Sequence, residues 1–336
     1  MARIAIIGAG MAALSALAVL RQHGHQVELF EKSRGTGGRL ASKRGQQASW
    51  DMGAQYIKAN SPEFARTLAD WHQQGLVEPW AVTPWVLENG SARPSPDDQL
   101  RYAAPSRMTS LSRALAEPAT ALHTSTRITA LQQAGQRWQV QSEQNEIFAD
   151  FDAVIVTTPP AQAEPLVSSS TTLSSACQNA HMLPCWTLLL AFEQPLTTAF
   201  DAAFVKDGPI QWLARNSSKP GRAALETWVI MARHDWSHSC IDHTRPWVEQ
   251  QLISAFWQLL GQDAVKPLES WLHRWLYALP QQPSGSGFAL DHQQKLALCG
   301  DWLHSASVEG AWLSGQAAAT ALLGHLPSST AQETPA

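Results

Sequence analysis

The residues most suited to chemistry lie near the start of the chain, where glycine and alanine recur at a spacing that fits a phosphate group. Gly8, Gly10 and Ala13 follow a short apolar run and open a segment of small residues. The first glycine permits a tight turn, and the second lets a pyrophosphate approach the backbone. The third small residue lets a helix pack closely on a strand. Free N–H groups and the helix dipole would then hold the phosphates, so this stretch predicts a dinucleotide site.

A carboxylate and a second glycine-rich loop follow the glycine motif and suit the same dinucleotide. Glu31 stands about 20 residues after Gly10, where a carboxylate takes the ribose hydroxyls of an adenosine and disfavours a 2′-phosphate. The segment 34–39 (RGTGGR) then sets three glycines between two arginines. Such a loop combines backbone N–H groups with fixed positive charge and suits the same pyrophosphate. An exposed flexible loop is the alternative interpretation.

Tryptophan is the anomaly of the composition, with 15 residues against only three tyrosines. Most of these indoles should fill the hydrophobic core. Several could instead line a pocket for a flat, aromatic ligand. Composition alone does not decide between the two uses.

Other kinds of chemistry are disfavoured. A net charge of −4 with scattered signs offers no basic stripe for a nucleic acid. The four cysteines show no CxxC spacing, which is typical of reduced thiols in a cytosolic protein. We find no convincing acid–base pair, nucleophile triad or metal site.

The uncharged run over 4–20 is interrupted by Gly-Ala-Gly and is short for a membrane span. It also lacks the charged start and cleavage site of a signal peptide. We therefore predict a cytoplasmic protein with neither a membrane nor a nucleic acid as partner. The sequence leaves the oligomeric state open.

The elements that must position the first motifs have an α/β pattern. Apolar, β-branched runs predict buried parallel strands, and the small-residue segments predict helices packed on them. These strands are predicted over 4–7, 26–31, 152–157 and 295–300, and these helices over 11–20 and 309–323.

From about residue 161 to 282 the pattern changes to long apolar strands. Strands are predicted over 186–192, 228–231 and 271–279, with an amphipathic helix over 244–260. A strand over 271–279 would place Trp271, His273, Trp275 and Tyr277 on one face. Helices are also predicted over 62–74 and 108–117. We therefore expect a second α+β domain with a mostly antiparallel sheet.

Together these motifs resemble the FAD-dependent amine-oxidase superfamily, and the resemblance covers nearly the whole chain. The motifs are 8–13 (GAGMAA), Glu31, 34–39 (RGTGGR), 51–56 (DMGAQY), 157–159 (TTP), 300–301 (GD) and 309–311 (EGA). Within the superfamily the chain is most similar to the bacterial form of the renalase family. The stretches that carry this similarity are 53–57 (GAQYI), 212–220 (WLARNSSKP), 273–280 (HRWLYALP) and 308–316 (VEGAWLSGQ).

The resemblance implies a discontinuous Rossmann-type FAD-binding domain and a separate substrate domain. The FAD-binding domain is predicted to comprise 1–80, 105–165 and 289–326. The substrate domain is predicted to comprise 81–104 and 166–288. A disordered tail is predicted over 327–336, which is polar and rich in Pro, Ser and Thr.

The resemblance also implies a set of FAD contacts. The glycine loop would meet the pyrophosphate, Glu31 and Lys32 the adenosine, and Arg39 the phosphates and ribityl chain. The N-terminus of the helix at Glu309 would face the flavin, where its dipole stabilises the anionic reduced form. No cysteine is placed for covalent attachment, so the FAD should be non-covalent. The implied cofactor-binding residues are Gly8, Gly10, Met11, Ala12, Ala13, Glu31, Lys32, Arg34, Gly38, Arg39, Gln55, Tyr56, Ile128, Asp301, Val308, Glu309, Gly310 and Ala311.

The substrate pocket is the second implied site. Its candidate residues are Gln55, Tyr56, Trp212, Arg215, Asn216, Trp275 and Tyr277, with Arg215 as a partner for a substrate phosphate. Core packing remains the alternative for each tryptophan. Lys219 is expected to be a solvated lysine, and no side chain receives a catalytic role because the flavin carries the chemistry.

One departure bears on the substrate. Amine oxidases of this superfamily usually place an aromatic residue two positions before the Glu-Gly pair, as a wall of an aromatic cage. Here that position is Ser307, and only Tyr56, Tyr102 and Tyr277 are available to rebuild such a cage. The sequence therefore disfavours plain amine oxidation.

The renalase resemblance implies oxidation of 2- and/or 6-dihydro isomers of NAD(P), with hydride passing to flavin N5. The products would be NAD(P)+ and, with O2, hydrogen peroxide. Such a transfer creates an aromatic pyridinium, so no side chain must remove a proton. The predicted partners are thus a dihydropyridine nucleotide and O2. Two alternatives stay open: a flavin amine oxidase or other FAD oxidoreductase acting on a small amine or aromatic substrate, and a non-catalytic FAD- or nucleotide-binding protein.

Overall fold

The structure is a computed structural model that describes residues 1–327. Apart from Pro327, the predicted disordered tail lies outside the described residues. The helices are α1 Met11–Gln22, α2 Pro62–Gln73, α3 Met108–Ala116, α4 Pro160–Ala163, α5 Thr171–Gln178, α6 His234–Ser239, α7 Arg245–Leu260 and α8 Val308–Leu323. The strands are β1 Arg3–Ile7, β2 Gln26–Phe30, β3 Ser42–Arg44, β4 Ser49–Asp51, β5 Glu78–Pro79, β6 Trp85–Glu88, β7 Ser91–Pro94, β8 Tyr102–Ala103, β9 Ala121–His123, β10 Ile128–Ala134, β11 Arg137–Ser142, β12 Ile147–Phe151, β13 Ala153–Val156, β14 Met182–Phe192, β15 Ala202–Val205, β16 Ile210–Arg215, β17 Glu226–Ala232, β18 Glu269–Pro280, β19 Phe288–Asp291 and β20 Leu296–Cys299.

The chain forms two compact units of discontinuous sequence. The first unit comprises Met1–Gly38, Ser112–Met182 and the described part of Pro280–Ala336. The second comprises Arg39–Leu111 and Leu183–Leu279. The limits of the FAD-binding domain and the substrate domain depend on which residues bind each molecule. The limits expected from the sequence therefore stay a prediction.

The first unit is built on a six-stranded sheet in the order β19-β20-β13-β1-β2-β9. Neighbouring strands are parallel except for β19 and β20. In β1, Ile6 lies between Ile155 of β13 and Leu29 of β2. Runs of this kind are apolar throughout because helices cover both faces of a parallel sheet. The predicted Rossmann-like α/β architecture is thus confirmed.

Helices α1 and α8 pack closely on one face of this sheet. The approach depends on Gly315, where an added Cβ would stand 2.1 Å from the backbone oxygen of Ala12. Ser15 Oγ donates to the backbone oxygen of Trp312 at 2.6 Å across the same contact. Leu14, Leu17 and Leu322 belong to the apolar cluster that surrounds it. Small residues therefore set the distance between the two helices.

The second unit is built on a seven-stranded sheet in the order β18-β14-β17-β16-β15-β6-β7. The pairs β14–β17, β15–β16, β16–β17 and β6–β7 are antiparallel, and β15–β6 is parallel. One face packs against α7, with Leu252 and Phe256 against Trp228 and Ile230. The opposite face carries Trp50, Trp80 and Trp212 in two further apolar clusters. This mixed, mostly antiparallel sheet agrees with the α+β architecture expected for this part of the chain.

Helix boundaries follow local chemistry. Helix α2 begins after Ser61, whose Oγ accepts from the backbone N–H of Phe64 at 3.2 Å, and Pro62 occupies the first turn.

Within residues 1–327, no helix combines the length and the apolar character that crossing a bilayer requires.

Candidate functional site

The glycine turn between β1 and α1 has the geometry that its sequence predicts. Gly8 has a φ of +108°, and an added Cβ would stand 2.4 Å from Thr157 Oγ1. Both the conformation and the contact therefore require glycine here. The backbone N–H of Gly8 donates to the carbonyl of Phe30 at 2.8 Å, which ties the turn to the end of β2.

The N-terminus of α1 is open to a ligand. Among the described residues no side chain caps this terminus, and its first turn contains no acid. No described atom lies within 4 Å of a Cβ placed on Gly10, so the space beside this residue is free. Unpaired N–H groups at a helix N-terminus bind anions. These residues fit a pyrophosphate.

Glu31 organises the loops around this terminus. Its carboxylate accepts from the N–H groups of Ala9 at 3.0 Å and Ser33 at 2.8 Å. The N–H of Gly37 in turn donates to the carbonyl of Ala9 at 2.8 Å. A Cβ on Gly38 would stand 3.5 Å from Gly10 Cα, so the two glycine loops lie side by side. The first unit thus brings both predicted phosphate-binding loops together around one acid.

The remaining adenosine-side candidates lie nearby but differ in exposure. Lys32 and Arg34 are exposed, and Lys32 Nζ donates to Gln162 Oε1 at 3.1 Å. Ile128 is buried at the start of β10, where the register with β11 is irregular. Such irregularity frees backbone groups for another partner.

The start of α8 holds a second group of candidates in the first unit. Ser307 caps the helix, and its Oγ accepts from the N–H of Gly310 at 2.9 Å. Asp301 and Glu309 are buried. The N–H of Gly300 donates to Ser314 Oγ at 2.8 Å, which fixes the turn before Asp301. Val308 and Ala311 are half-buried in the first helical turn. A capping serine therefore occupies position 307, where the sequence comparison with amine oxidases expected an aromatic side chain.

Asp51, the last residue of β4, is the centre of a buried polar cluster in the second unit. Its carboxylate accepts from Lys219 Nζ at 3.2 Å, Arg222 Nη2 at 2.5 Å and the backbone N–H of Met108 at 2.8 Å. The side chains of Lys219, Asp51 and Arg222 are 0%, 1% and 2% exposed. Two buried cations therefore share one carboxylate.

Burial and the neighbouring charges shift the pKa values of Asp51 and Lys219. Burial alone would raise the pKa of Asp51, but the charges of Lys219 and Arg222 outweigh it and lower that pKa. Burial lowers the pKa of Lys219 to about 8, although Asp51 acts in the opposite direction. The prediction that Lys219 is a solvated lysine is wrong. Its burial is possible because Asp51, 168 positions away in the chain, supplies the opposite charge.

The side-chain amides of Gln55 and Asn216 form hydrogen bonds within the protein. Gln55 Nε2 donates to the carbonyls of Asp51 at 2.6 Å and Gly53 at 2.9 Å, and its Oε1 accepts from Lys219 at 3.1 Å. Asn216 Oδ1 accepts from the N–H of Asp51 at 3.2 Å, and its Nδ2 donates to the carbonyl of Ser49 at 3.0 Å. Both amides therefore brace the segment that leads from β4 towards Tyr56.

Tyr56 and Trp212 lie in an aromatic group on the face of the sheet opposite α7. Their ring centroids are 5.6 Å apart, and Phe204 lies 4.8 Å from Trp212 on the other side. Trp80 belongs to the same cluster, and its Nε1 donates to Ser218 Oγ at 3.0 Å. These rings form the aromatic wall, a name kept below for Tyr56, Trp80, Phe204 and Trp212.

The other substrate candidates are placed differently. Trp275 on β18 donates its Nε1 to the carbonyl of Met52 at 3.1 Å, and Tyr277 is half-buried on the same strand. Arg39 Nη1 donates to the carbonyl of Ala278, also on β18, at 3.1 Å. The structure thus brings β18 and the segment around Met52 together.

Arg215 is separated from the aromatic wall. On β16 it alternates with Trp212, so its side chain lies on the α7 side, with its guanidinium over the ring of Trp228. It forms ion pairs with Asp201 at 2.9 Å and Glu226 at 3.1 Å. The structure gives Arg215 carboxylate partners of its own and does not bring it together with Tyr56 and Trp212.

Asp51 and Arg222 are the site residues that the sequence did not single out. Asp51 was present in the DMGAQY motif, and that motif was a usable signal. No sequence signal marks Arg222, because its partner Asp51 lies 171 positions away. Among residues 1–327, no three His, Cys, Asp or Glu side chains come together as a metal site.

Comparison with known proteins gives the family. A model described as "Flavin containing amine oxidoreductase" matches residues 86–323, and one for an "NAD(P)-binding Rossmann-like domain" matches 6–71. An L-amino-acid oxidase from Pseudechis australis is 48% identical over 90 residues, which are 27% of this chain and 16% of that protein. The chain thus matches only a small part of this curated relative.

Solved structures show the same fold. A cyclohexylamine oxidase from Brevibacterium oxydans IH-35A superposes with a TM-score of 0.75 at 14% identity, over 96% of this chain and 99% of that chain. A putrescine oxidase bound to putrescine superposes with a TM-score of 0.74 at 12% identity, with the same coverage of both chains. At these identities the likeness concerns architecture alone.

The cofactor follows from the family and from the first unit. The two family models imply a non-covalently bound FAD, as the sequence predicts. The uncapped α1 terminus and the free space at Gly10 fit its pyrophosphate. Because the first of these models spans well over half of the chain, the chain belongs to the flavin-containing amine oxidoreductase family.

Proposed function

We propose that this oxidoreductase takes hydride from 2- and/or 6-dihydro isomers of NAD(P) and returns NAD(P)+, as the resemblance to the renalase family implies. One observation carries the proposal. In the second unit Tyr56 and Phe204 of the aromatic wall are half-buried, Trp80 and Trp212 are buried in the same cluster, and the polar candidates beside them are already hydrogen-bonded within the protein. The half-buried rings suit stacking of a planar ring, and the group offers no free base.

The chemistry divides between cofactor and protein. FAD, held by the first unit, would supply the two-electron chemistry: a site for the hydride and the reduction of O2 to hydrogen peroxide with a proton from water. Tyr56 and Trp212 would orient the dihydropyridine ring and exclude water around it. No side chain need accept a proton, because loss of hydride alone converts the ring into an aromatic pyridinium. Lys219, Gln55 and Asn216 would hold the wall in place.

Cofactor binding is assigned here to residues of the first unit. The loop from Gly8 to Ala13 and Gly38 would bind the pyrophosphate, and Glu31 would bind the adenosine ribose. Asp301 and the α8 terminus at Glu309 would serve the ribityl and flavin end, where the helix dipole favours negative charge. The four free, buried cysteines support the proposed cytoplasmic location.

A product measurement tests this function. The purified yellow protein is incubated in air with each dihydro isomer, and NAD(P)+ and hydrogen peroxide are quantified. We expect both products in equal amounts from the 2- or 6-dihydro isomer. The ordinary 4-dihydro form serves as the control. Absence of NAD(P)+ from every isomer would exclude the proposal.

Amine oxidation is the second candidate, and the segment shared with an L-amino-acid oxidase favours it. The replacement of the usual aromatic residue by the capping Ser307 is the observation against it. A panel of primary amines and L-amino acids, tested for peroxide release under the same conditions, separates the two functions.

A further inference from the structure

Lys219 has three partners, and two of them belong to the short turn before Tyr56. Its Nζ donates to Asp51 Oδ2 at 3.2 Å and to Gln55 Oε1 at 3.1 Å, and lies 5.4 Å from the ring centroid of Trp80. The side chain is fully buried. Burying an ammonium group costs free energy unless each of its protons has a partner. The three partners of Lys219 offset that cost.

The turn over 51–55 is closed from two sides. Gln55 donates to the carbonyls of Asp51 and Gly53, which folds the turn on itself. Lys219 then binds both ends of the turn, at Asp51 and at Gln55. Since Tyr56 is the next residue, the position of its backbone depends on how firmly this turn is held, while the Arg101 guanidinium lies over its ring at 5.0 Å.

Lys219 also connects the turn to the other side of the aromatic wall. It follows the short helical turn Asn216–Ser218, which directly continues β16, the strand that carries Trp212. Lys219 therefore links the segment that bears Tyr56 to the segment that bears Trp212, whose rings lie 5.6 Å apart.

Arg222 does not duplicate this link. Its guanidinium binds Asp51 and the carbonyls of Ala104 and Pro220. Gln55 is not among those partners. Loss of Lys219 would thus leave Asp51 paired but Gln55 Oε1 without its cation. We propose that Lys219 is a positioning residue, which holds Tyr56 against Trp212 and thereby sets the affinity for a flat substrate.

The second part of this inference, the effect on substrate affinity, rests on the proposed function, but the positioning itself does not. The charged groups that face Lys219 are Asp51 on β4 and Arg222 on its own segment, while Gln55 and Trp80 are neutral. Arg222 keeps its charge at all accessible pH values. Lys219 is therefore the cation of the pair that can lose its proton, with a pKa of about 8.

The chain contains only three tyrosines, so the ring of Tyr56 can be observed directly. Protein carrying 13C at the tyrosine ε carbons is studied by NMR, and Tyr56→Phe assigns its signal. We expect the Tyr56 signal to shift in Lys219→Met, to stay in place in Lys219→Arg, and to titrate with a midpoint near pH 8 in the wild type. Burial raises the pKa of Tyr56 itself, so its own ionisation does not interfere.

The matched control is Lys266→Met. Lys266 is exposed in the loop between α7 and β18, away from the turn. This variant loses the same charge and should leave the Tyr56 signal unchanged. A Tyr56 signal that is identical in wild type and Lys219→Met would overturn the proposal. If Lys219→Met fails to fold, the same comparison is made with Lys219→Gln, which also lacks the charge. A midpoint away from pH 8 would contradict the lowered pKa of Lys219 alone.

Kinetics with the dihydro isomers test the effect on affinity. We expect Lys219→Met to raise KM about tenfold, with kcat within about twofold of wild type, and Lys219→Arg to restore most of the loss. A fall in kcat with unchanged KM would contradict a positioning role. If no isomer reacts but the Tyr56 signal moves as expected, the proposed function fails and the positioning role stands.

Discussion

At the scale of single residues, Glu31 has a structural role in the loops where FAD binding is proposed. Its carboxylate accepts from the N–H groups of Ala9 and Ser33 and so joins the glycine turn to the following loop. Hydrogen bonds to a charged acceptor contribute about 1.5–3 kcal/mol each. Glu31 therefore shapes the glycine turn, in addition to its proposed contact with the adenosine.

Replacing Glu31 by Ala should weaken FAD binding by at least about tenfold, because the loop loses both of its anchors. Titration of the apoprotein with FAD, followed by quenching of flavin fluorescence, measures this change. Glu63→Ala is the control, since Glu63 is exposed in the first turn of α2. Wild-type affinity in Glu31→Ala would show that the anchoring role is unimportant.

Lys219 should make stability depend on pH in an unusual direction. In the unfolded chain a lysine titrates near 10.4, at the model-peptide value, whereas Lys219 in the folded protein has a pKa of about 8. Between these values the unfolded chain binds the proton and the folded protein does not, so stability rises with pH.

The free energy of unfolding of the wild type, minus that of Lys219→Met, should therefore increase from pH 8 to pH 10 by at most about 1.4 kcal/mol per unit. Below pH 8 the difference should be flat. Urea unfolding of both proteins at several pH values provides the measurement, and the subtraction removes the other titrating groups. A difference that falls over this range would contradict the depressed pKa.

Sequence patterns identified polar residues of the second unit but not their partners. Gln55, Asn216 and Lys219 stand in motifs that the sequence analysis quoted, yet their hydrogen bonds join positions up to 168 residues apart. Local spacing carries no information about such contacts. This is why Lys219 was wrongly expected in solvent.

At the scale of elements, the apolar, buried segments were predictable and the exposed, polar ones were not. The predicted strands of the parallel sheet and the helices α1, α7 and α8 are confirmed within two residues. Strand β7 (SARP) was missed because all four residues are exposed, so no alternation of apolar and polar residues marks it. Strand pairing, not composition, defines that element.

The contact between α1 and α8 allows a test of element packing. Gly315→Ala should destabilise the protein by about 1–3 kcal/mol, since its Cβ would stand 2.1 Å from a backbone oxygen of α1. Gly324→Ala, just past the end of α8, is the control because the nearest atom lies 3.6 Å from its Cβ. Chemical unfolding measures both. Equal stability of the two variants would contradict the close packing.

At the scale of the whole molecule, the fold and the cofactor follow from the sequence, but the substrate does not. The glycine turn, the acid after β2 and the paired glycine loops are proposed to bind FAD, and one fold supports many reactions. Under the proposed function, substrate choice would depend on the shape and chemistry of the aromatic wall, which residues distant in sequence assemble. The similarity in fold to amine oxidases therefore does not identify the substrate of this chain, which has to be found by experiment.

The most direct test of the central claim is anaerobic mixing of the yellow protein with the 2-, 4- and 6-dihydro isomers of NAD(P). The absorbance of the flavin is followed within a single turnover. A ring that stacks on the aromatic wall and needs no base should transfer its hydride at once, so we predict rapid bleaching by the 2- or 6-dihydro isomer. Bleaching by amines, with no response to any dihydronicotinamide isomer, would contradict this account.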